Sequence, residues 1–256
     1  MVEIRELGLD LDGKRLLSGI SLAFNDGEVT GIIGRGGAGK SLFLDALSGT
    51  YRTFDGEILV DRRPLRGLSR RDLGRMITCH VDEPQNEDER VREFLKLARL
   101  PFKKFLNPLT DYDLQIVDDC MALLELGDMA DVPLRALSGS YAKRAVLAFA
   151  LARDTGLLLL DDPTAGLDLR ALALLQKALS RYALGGKNIV VIASNDLNFI
   201  AQTADRIVVL DGGAVVMEGG PDIIDADMVK RFFGLEVFVS KNVYNGKPNV
   251  HFFPEN

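Results

Sequence analysis

Gly34-Arg35-Gly36-Gly37-Ala38-Gly39-Lys40-Ser41 fits the pattern G-x-x-x-x-G-K-[ST]. Residue types in that order do one kind of chemistry: they hold a chain of phosphates. Glycines let the backbone bend and approach a phosphate with no Cβ in the way. The loop's N–H groups then point inward, and the helix start behind them adds the positive end of its dipole. Lys40 reaches the outer phosphates, and the Ser41 hydroxyl is a magnesium ligand. A functionless glycine-rich turn is the competing explanation. Four glycines followed by Lys-Ser, between a strand and a helix, argue against it. The motif therefore predicts binding of a nucleoside triphosphate with Mg2+, contacted by residues 34–42.

A second chemical group lies downstream. Leu157-Leu-Leu-Leu-Asp161 is an apolar run ending in a carboxylate. A buried parallel strand would deliver Asp161 to the sheet edge beside the phosphate loop, where it holds magnesium directly or through water. Alone the pattern is common; after a phosphate loop it is informative.

The elements that must position these groups follow from periodicity and turn signals. Glu28–Ile33 reads as a short buried strand before the loop, and Leu42–Leu47 as a helix after it. Ile4–Leu11 and Leu16–Phe24 read as a hairpin around Asp12-Gly13, with Asp55–Asp61 a further strand. A short helix over 69–76 is capped by Ser69, and Met76–Val81 is a strand. Residues 82–90 are polar and read as a loop. From Val91 to about Leu126 the pattern is helical, broken near Pro101 and Pro108, with Val117, Met121, Leu124 and Leu126 on one apolar face. Helices are predicted from about Ser140 to Arg153, Asp168 to Tyr182 and Asp196 to Ala204. Strands are predicted at 157–160, 188–193 and 206–210, the last followed by a turn at Asp211-Gly-Gly213. Alternating strands and helices predict an α/β fold: a mainly parallel sheet core with an N-terminal antiparallel β subdomain and a helical insertion over about 85–140. Residues 1–220 form the main domain. A C-terminal appendage, 221–256, holds a helix (Ile223–Phe233) and strands at 236–240 and 250–253.

Composition bounds the function. The 256 residues suit one large α/β domain or a domain with a small attachment, and a net charge of −6 suggests no general nucleic-acid-binding surface. The only cysteines, Cys79 and Cys120, imply no disulfide framework. Cys79-His80 invites a metal reading, but adjacent strand residues point to opposite faces. The longest apolar run, Ala145–Ala152, lies between Arg144 and Arg153 and falls far short of the ~20 residues a membrane span needs. The N-terminus lacks a signal-peptide pattern. The expectation is a soluble cytoplasmic chain that meets a membrane only through a partner.

Leu137-Ser-Gly-Ser-Tyr141, with Arg144 following, resembles the LSGGQ signature of ATP-binding cassette (ABC) ATPases, and Asp161-Asp-Pro-Thr-Ala-Gly-Leu-Asp168 resembles that family's joined Walker B motif and D-loop. With the phosphate loop, these motifs stand in the family's order over roughly residues 2–220. The resemblance implies a P-loop NTPase fold of the ABC type, bound ATP and Mg2+, and a second ABC subunit, as homodimer or heterodimer. The phosphate loop of one subunit would face Ser138, Gly139, Ser140 and Asp168 of the other. A helix start with a hydroxyl and an unhindered N–H favours a γ-phosphate on physical grounds too. A narrower likeness joins Ala98–Asp111, Asp196-Leu-Asn-Phe, Ala204–Leu210 and the tail after Pro221 to ATPases serving importers of iron-siderophore, haem and cobalamin compounds. It implies transmembrane permease partners and a place on the inner face of the membrane.

Several positions depart from the family pattern. The signature's second glycine is Ser140, and Tyr141 stands for its Gln or Glu. The carboxylate that aligns the attacking water is Asp162, one methylene shorter than the usual Glu, which predicts slowed hydrolysis. Asn195 stands at the switch-histidine position; it donates a hydrogen bond to a phosphate oxygen but carries no proton. The Q-loop glutamine position is Asp82, a candidate for the metal and the water, with Gln85 three residues on as the alternative. Leu11 replaces the aromatic residue that stacks on adenine. Arg35 adds charge near the triphosphate or is a solvated loop charge, and Leu42 replaces the second hydroxyl residue. The binding parts survive better than the catalytic ones. The leading expectation is a transport-coupled ATPase subunit of an importer. The alternative is a weakly hydrolysing or regulatory subunit paired with a competent sister; a soluble cluster-assembly type of ATPase fits less well.

Overall fold

The computed structural model describes residues 1–79, 86–103, 107–185 and 188–253. The chain begins with a hairpin, β1 (Val2–Leu11) and β2 (Lys14–Phe24), then enters the central sheet at β3 (Val29–Ile33). Helix α1 (Lys40–Ser48) follows the glycine loop, and β4 (Asp55–Val60) and β5 (Arg63–Pro64) return to the hairpin. Next come α2 (Arg70–Met76), β6 (Ile77–Thr78), and the helical insertion with α3 (Val91–Leu97) and α4 (Asp111–Leu123). The chain then alternates: α5 (Gly139–Ala152), β7 (Leu157–Asp161), α6 (Leu169–Leu184), β8 (Ile189–Ala193), α7 (Leu197–Thr203) and β9 (Arg206–Asp211). It finishes with β10 (Ala214–Gly219), α8 (Ala226–Phe233), β11 (Val237–Lys241) and β12 (Pro248–Phe252).

The central sheet has the order β10-β9-β3-β8-β7-β6. All its neighbours pair in parallel except β10, which returns antiparallel on β9. Strands β3, β7 and β8 are buried along both faces, which is why they read as continuous β-branched or leucine runs. One apolar cluster lies between this sheet, α5, α6, α7 and the insertion; a second joins its other face to α1 and the antiparallel sheet β2-β1-β4-β5. Val117, Met121, Leu124 and Leu126, the predicted insertion face, are all buried in the first cluster. Met228, Val229 and Phe232 of α8 and Val250 of β12 belong to it too, so the C-terminal elements share the main core.

The parallel register has a functional consequence. Ile32 pairs with Ala193 and Asp161 pairs with the same residue from the other side. The chain segments that leave β3, β7 and β8 therefore emerge together at one sheet edge.

Three expectations change. The return strand β10 was not foreseen: it is an edge strand with no buried residue, so it lacks the alternation that marks a half-buried strand. Helix α8 begins at Ala226, not Ile223, because Pro221–Ile223 forms a 3-10 turn and Asp225 then caps Met228 N. The strand expected over 76–81 is only Ile77–Thr78 within the described residues; His80, Asp82 and Gln85 lie outside them.

Candidate functional site

The phosphate loop leaves β3 at Gly34, whose φ is +157° and where an added Cβ would fall 2.2 Å from the Leu210 carbonyl oxygen. The packing of β9 against the loop thus demands a residue without a side chain. Gly39 stands at the N-cap of α1 with φ +98°, left-handed geometry that an L side chain would strain. Between them, Cβ atoms added at Gly36 and Gly37 would meet nothing within 4 Å among the described residues, so the crown of the loop is open to a ligand. Ala38 N donates to Arg35 O at 3.1 Å and Ala38 O accepts from Gly213 N at 3.1 Å, pinning the loop to the β9–β10 turn.

Lys40 is buried. Its Nζ donates to Gly34 O at 2.7 Å, Arg35 O at 3.1 Å and Asn195 Oδ1 at 2.8 Å. Burial lowers its pKa below the ordinary lysine value, while the carboxylates of Asp161 and Asp162 pull it back up. The ammonium is thus held at the meeting point of the segments after β3, β7 and β8. Ser41, on the first turn of α1, is exposed. Leu11 and Leu42 are partly buried against the apolar cluster beneath the loop. Arg35 is exposed, and its guanidinium rests against the C-terminal end of α8: a Cβ on Gly234 would lie 2.7 Å from Nη2.

Asp162 follows β7 in the left-handed region, φ +43°. Its N–H donates to Ala193 O at 2.7 Å, and its Oδ1 accepts from Ser194 Oγ at 3.0 Å. Ser194 is buried and its hydroxyl also accepts from Asp196 N at 3.1 Å. The strained backbone aims the carboxylate, and Ser194 fixes it.

Elsewhere on the molecule, Ser138 is the N-cap of α5 but its side chain makes no capping hydrogen bond, and Ser138 and Gly139 are exposed. Ser140 Oγ donates to Asp168 Oδ2 at 2.6 Å, while Asp168 Oδ1 caps α6 by accepting from Ala171 N at 2.8 Å. The Ser140 bond is the chief cause of an Asp168 pKa below the ordinary carboxylate value. Lys143 Nζ donates to Ala165 O, a second tie between α5 and the same loop. Among the described residues, no hydrogen bond or ion pair joins Ser138–Tyr141 to the phosphate loop.

A family model described as ABC transporter matches residues 17–165, more than half of the chain. This chain belongs to the ABC transporter family. It is 28% identical over 254 residues to a petrobactin import ATP-binding protein of Bacillus subtilis, an alignment covering 98% of this chain and 100% of that one. It is 34% identical over 226 residues to a hemin import ATP-binding protein of Nocardia farcinica, covering 86% of this chain and 76% of that one. Among solved structures, cbiO1 of Clostridium perfringens, part of the ABC transporter complex cbiONQ, superposes with a TM-score of 0.74 at 26% identity. It covers 87% of this chain and 89% of that one. The chain is an ATP-binding protein and an ATPase of this family.

ATP and Mg2+ fit the residues of this ABC ATPase. The open crown at Gly36–Gly37, the buried ammonium and the α1 start suit a triphosphate. Ser41 and Asp161 would supply magnesium ligands; Mg2+ commonly takes one or two protein oxygens beside phosphate and water. No group of three or more His, Cys, Asp or Glu among the described residues forms a self-sufficient metal site, as a phosphate-borne ion requires none. Sequence reasoning missed two groups in this ABC ATPase, Ser194 and Lys143. Both are ordinary residue types whose role depends on which loop packs beside them, and no spacing signals that.

Proposed function

We propose that this chain is the ATP-hydrolysing subunit of an importer for a metal chelate or a related cofactor, in the class of iron-siderophores, haem and cobalamin. It works as an ATP-closed dimer beneath transmembrane permease subunits on the inner face of the membrane. The names of the relatives, which import petrobactin and hemin, support the substrate class. Among the described residues no helix is long and apolar enough to cross a membrane, so passage of substrate belongs to the permease.

One observation carries the dimer: the phosphate loop with its Lys40–Asn195 pair is one half-site, and the Ser138–Asp168 surface, exposed and unconnected to it, is the other. ATP bound through Lys40, Ser41 and Asp161 presents its γ-phosphate outward, and the α5 start of a second subunit seals it. When bound, ATP supplies the phosphoryl bond whose cleavage resets the switch. Asp162 orients the attacking water, and its shorter side chain makes turnover slow. Asn195, whose Oδ1 accepts from Lys40, donates from its amide Nδ2 to a phosphate oxygen. Asp82 is the remaining candidate for metal and water, outside the described residues. The test is steady-state ATPase activity of the purified chain, alone and with its permease, beside Lys40→Ala. The expected result is a low rate that the permease raises and Lys40→Ala abolishes; no magnesium-nucleotide binding by calorimetry would sink the reading.

Asp162 and Asn195 also favour a second arrangement, in which this chain pairs with a better-equipped sister and its own site mainly clamps ATP. Sedimentation of the chain with Mg-ATP separates the two, since only the first gives a dimer of identical chains.

A further inference from the structure

Between Asp61 and Met76 the chain carries six arginines against two carboxylates, a net +4 in a protein whose total is −6. The segment is held from within by Leu65, Leu68 and Leu73, all buried, which leaves the charged side chains outside. Arg62, Arg63, Arg66, Arg70 and Arg71 are exposed. All five lie within ten consecutive residues, 62–71, and contacts place two of them. Arg63 lies beside α2, its Nη2 3.9 Å from Asp72 Oδ2 and its Nη1 4.0 Å from Met76 Sδ. Arg66 sits over the Phe54 ring, 4.2 Å from its centroid. Arg75 Nε donates to Pro101 O at 2.7 Å, which ties α2 to the turn carrying Leu100, an apolar side chain 48% exposed. Among the described residues, Arg62, Arg66, Arg70 and Arg71 have no carboxylate within ion-pair distance. These unpaired exposed arginines, beside an exposed leucine, leave positive charge that no carboxylate among the described residues offsets.

We propose that this arginine face binds the anionic headgroups of the membrane. Charge complementarity selects the partner. Cytoplasmic loops of membrane proteins carry an excess of Lys and Arg, so a permease loop mismatches the face, whereas anionic lipids present a plane of phosphates. Arginine pairs with phosphate through a fork of two N–H donors. Screening confines the attraction to roughly 8 Å at physiological salt, so one cationic face is drawn in although the rest of the chain is acidic. A long nucleic acid would instead have to run out over that acidic remainder. The inference borrows from the proposed function only its membrane setting and needs neither nucleotide turnover nor a permease.

The experiment is co-flotation of the purified full chain with vesicles of phosphatidylcholine alone or mixed with phosphatidylglycerol, over a salt series, with a duplex oligonucleotide as a parallel probe. Binding is expected to the anionic vesicles only and to fall as salt rises. Each basic residue at such a surface multiplies partitioning about fivefold. The variant Arg62→Glu/Arg70→Glu/Arg71→Glu should therefore lose at least tenfold, and the matching Lys variant should retain most of the binding. Both variants should bind Mg-ATP as the parent does, which separates loss of the face from loss of the fold. Failure to bind anionic vesicles, equal binding to neutral ones, or a Glu variant that binds like the parent overturns the proposal, as does tighter binding to the oligonucleotide. None of these results touches the ATPase reading, which would fail in calorimetry instead.

Discussion

Each chemical group at the phosphate loop is held by particular neighbours, and those neighbours decide what a substitution does. Asp162 is aimed by a left-handed backbone and by Ser194. Asparagine tolerates the same backbone conformation, so Asp162→Asn keeps the shape and removes the charge. It should cut the ATPase rate about a hundredfold with Mg-ATP binding unchanged, measured as kcat against a nucleotide titration. A rate unaffected by the change would mean that Asp162 does not orient water. Asn195 Oδ1 accepts from Lys40 Nζ at 2.8 Å, beside the Gly34 and Arg35 carbonyls. Asn195→Asp replaces a neutral acceptor with an anion, strengthening the hold on the ammonium and repelling phosphate. KM for Mg-ATP should rise about tenfold or more, whereas Asn195→Ala should spare binding; similar KM values for the two would discard this account.

At the scale of elements, hydrogen bonds made by single side chains decide how helices meet. Ser140, which stands where the family places glycine, braces the start of α5 to the loop before α6 through Asp168. The bond favours ionised Asp168 in the folded chain, so its folded pKa lies below the unfolded one. That contribution is complete above the ordinary carboxylate value of about 3.9 and is lost as pH falls through the lowered one. Ser140→Ala should raise the Asp168 pKa toward the ordinary value in a carboxyl NMR titration and move acid unfolding to higher pH, with Ser140→Thr restoring both. In the insertion, buried Arg99 donates to Asp113 Oδ1 at 3.0 Å and to Ala152 O and Arg153 O at 2.9 Å, closing the C-terminus of α5. Arg99→Ala leaves Asp113 and those carbonyls without a cation; a loss of about 3 kcal/mol is expected by denaturant unfolding. These ties explain what was readable in the sequence. Helices and buried strands announced themselves through periodicity, as Val117 and Met121 did for α4, and the glycine loop through its residue types. The edge strand β10 did not, because none of its residues is buried. Ser194, Lys143 and the Lys40–Asn195 bond were invisible because they depend on which strand ends lie side by side, a property of the sheet order.

For the whole molecule, that sheet order keeps apart the two surfaces that the proposed dimer would join. Parallel strands β3, β8 and β7 bring their trailing ends together around Lys40, while α5 and the loop before α6 carry Ser138 and Asp168 as a separate exposed surface. In the proposed dimer, two chains related by a two-fold axis would close the site, each loop facing the other's α5 start. Two defects at opposite half-sites should complement. Lys40→Ala removes the ammonium from one half, and Ser138→Arg places a bulky side chain at the exposed start of α5 in the other. Each variant alone should be inactive. In an equal mixture, about half of the dimers pair one variant with the other, and each of these has one of its two sites intact. The mixture should therefore recover up to about a quarter of the parent rate per chain. Recovery depends on subunit exchange, so it should appear only after the variants are mixed before ATP is added. If Ser138→Arg alone keeps the parent rate, α5 does not face a phosphate; if the exchanged mixture stays inactive, each site is built within a single chain or with a different partner, and the identical-chain dimer falls.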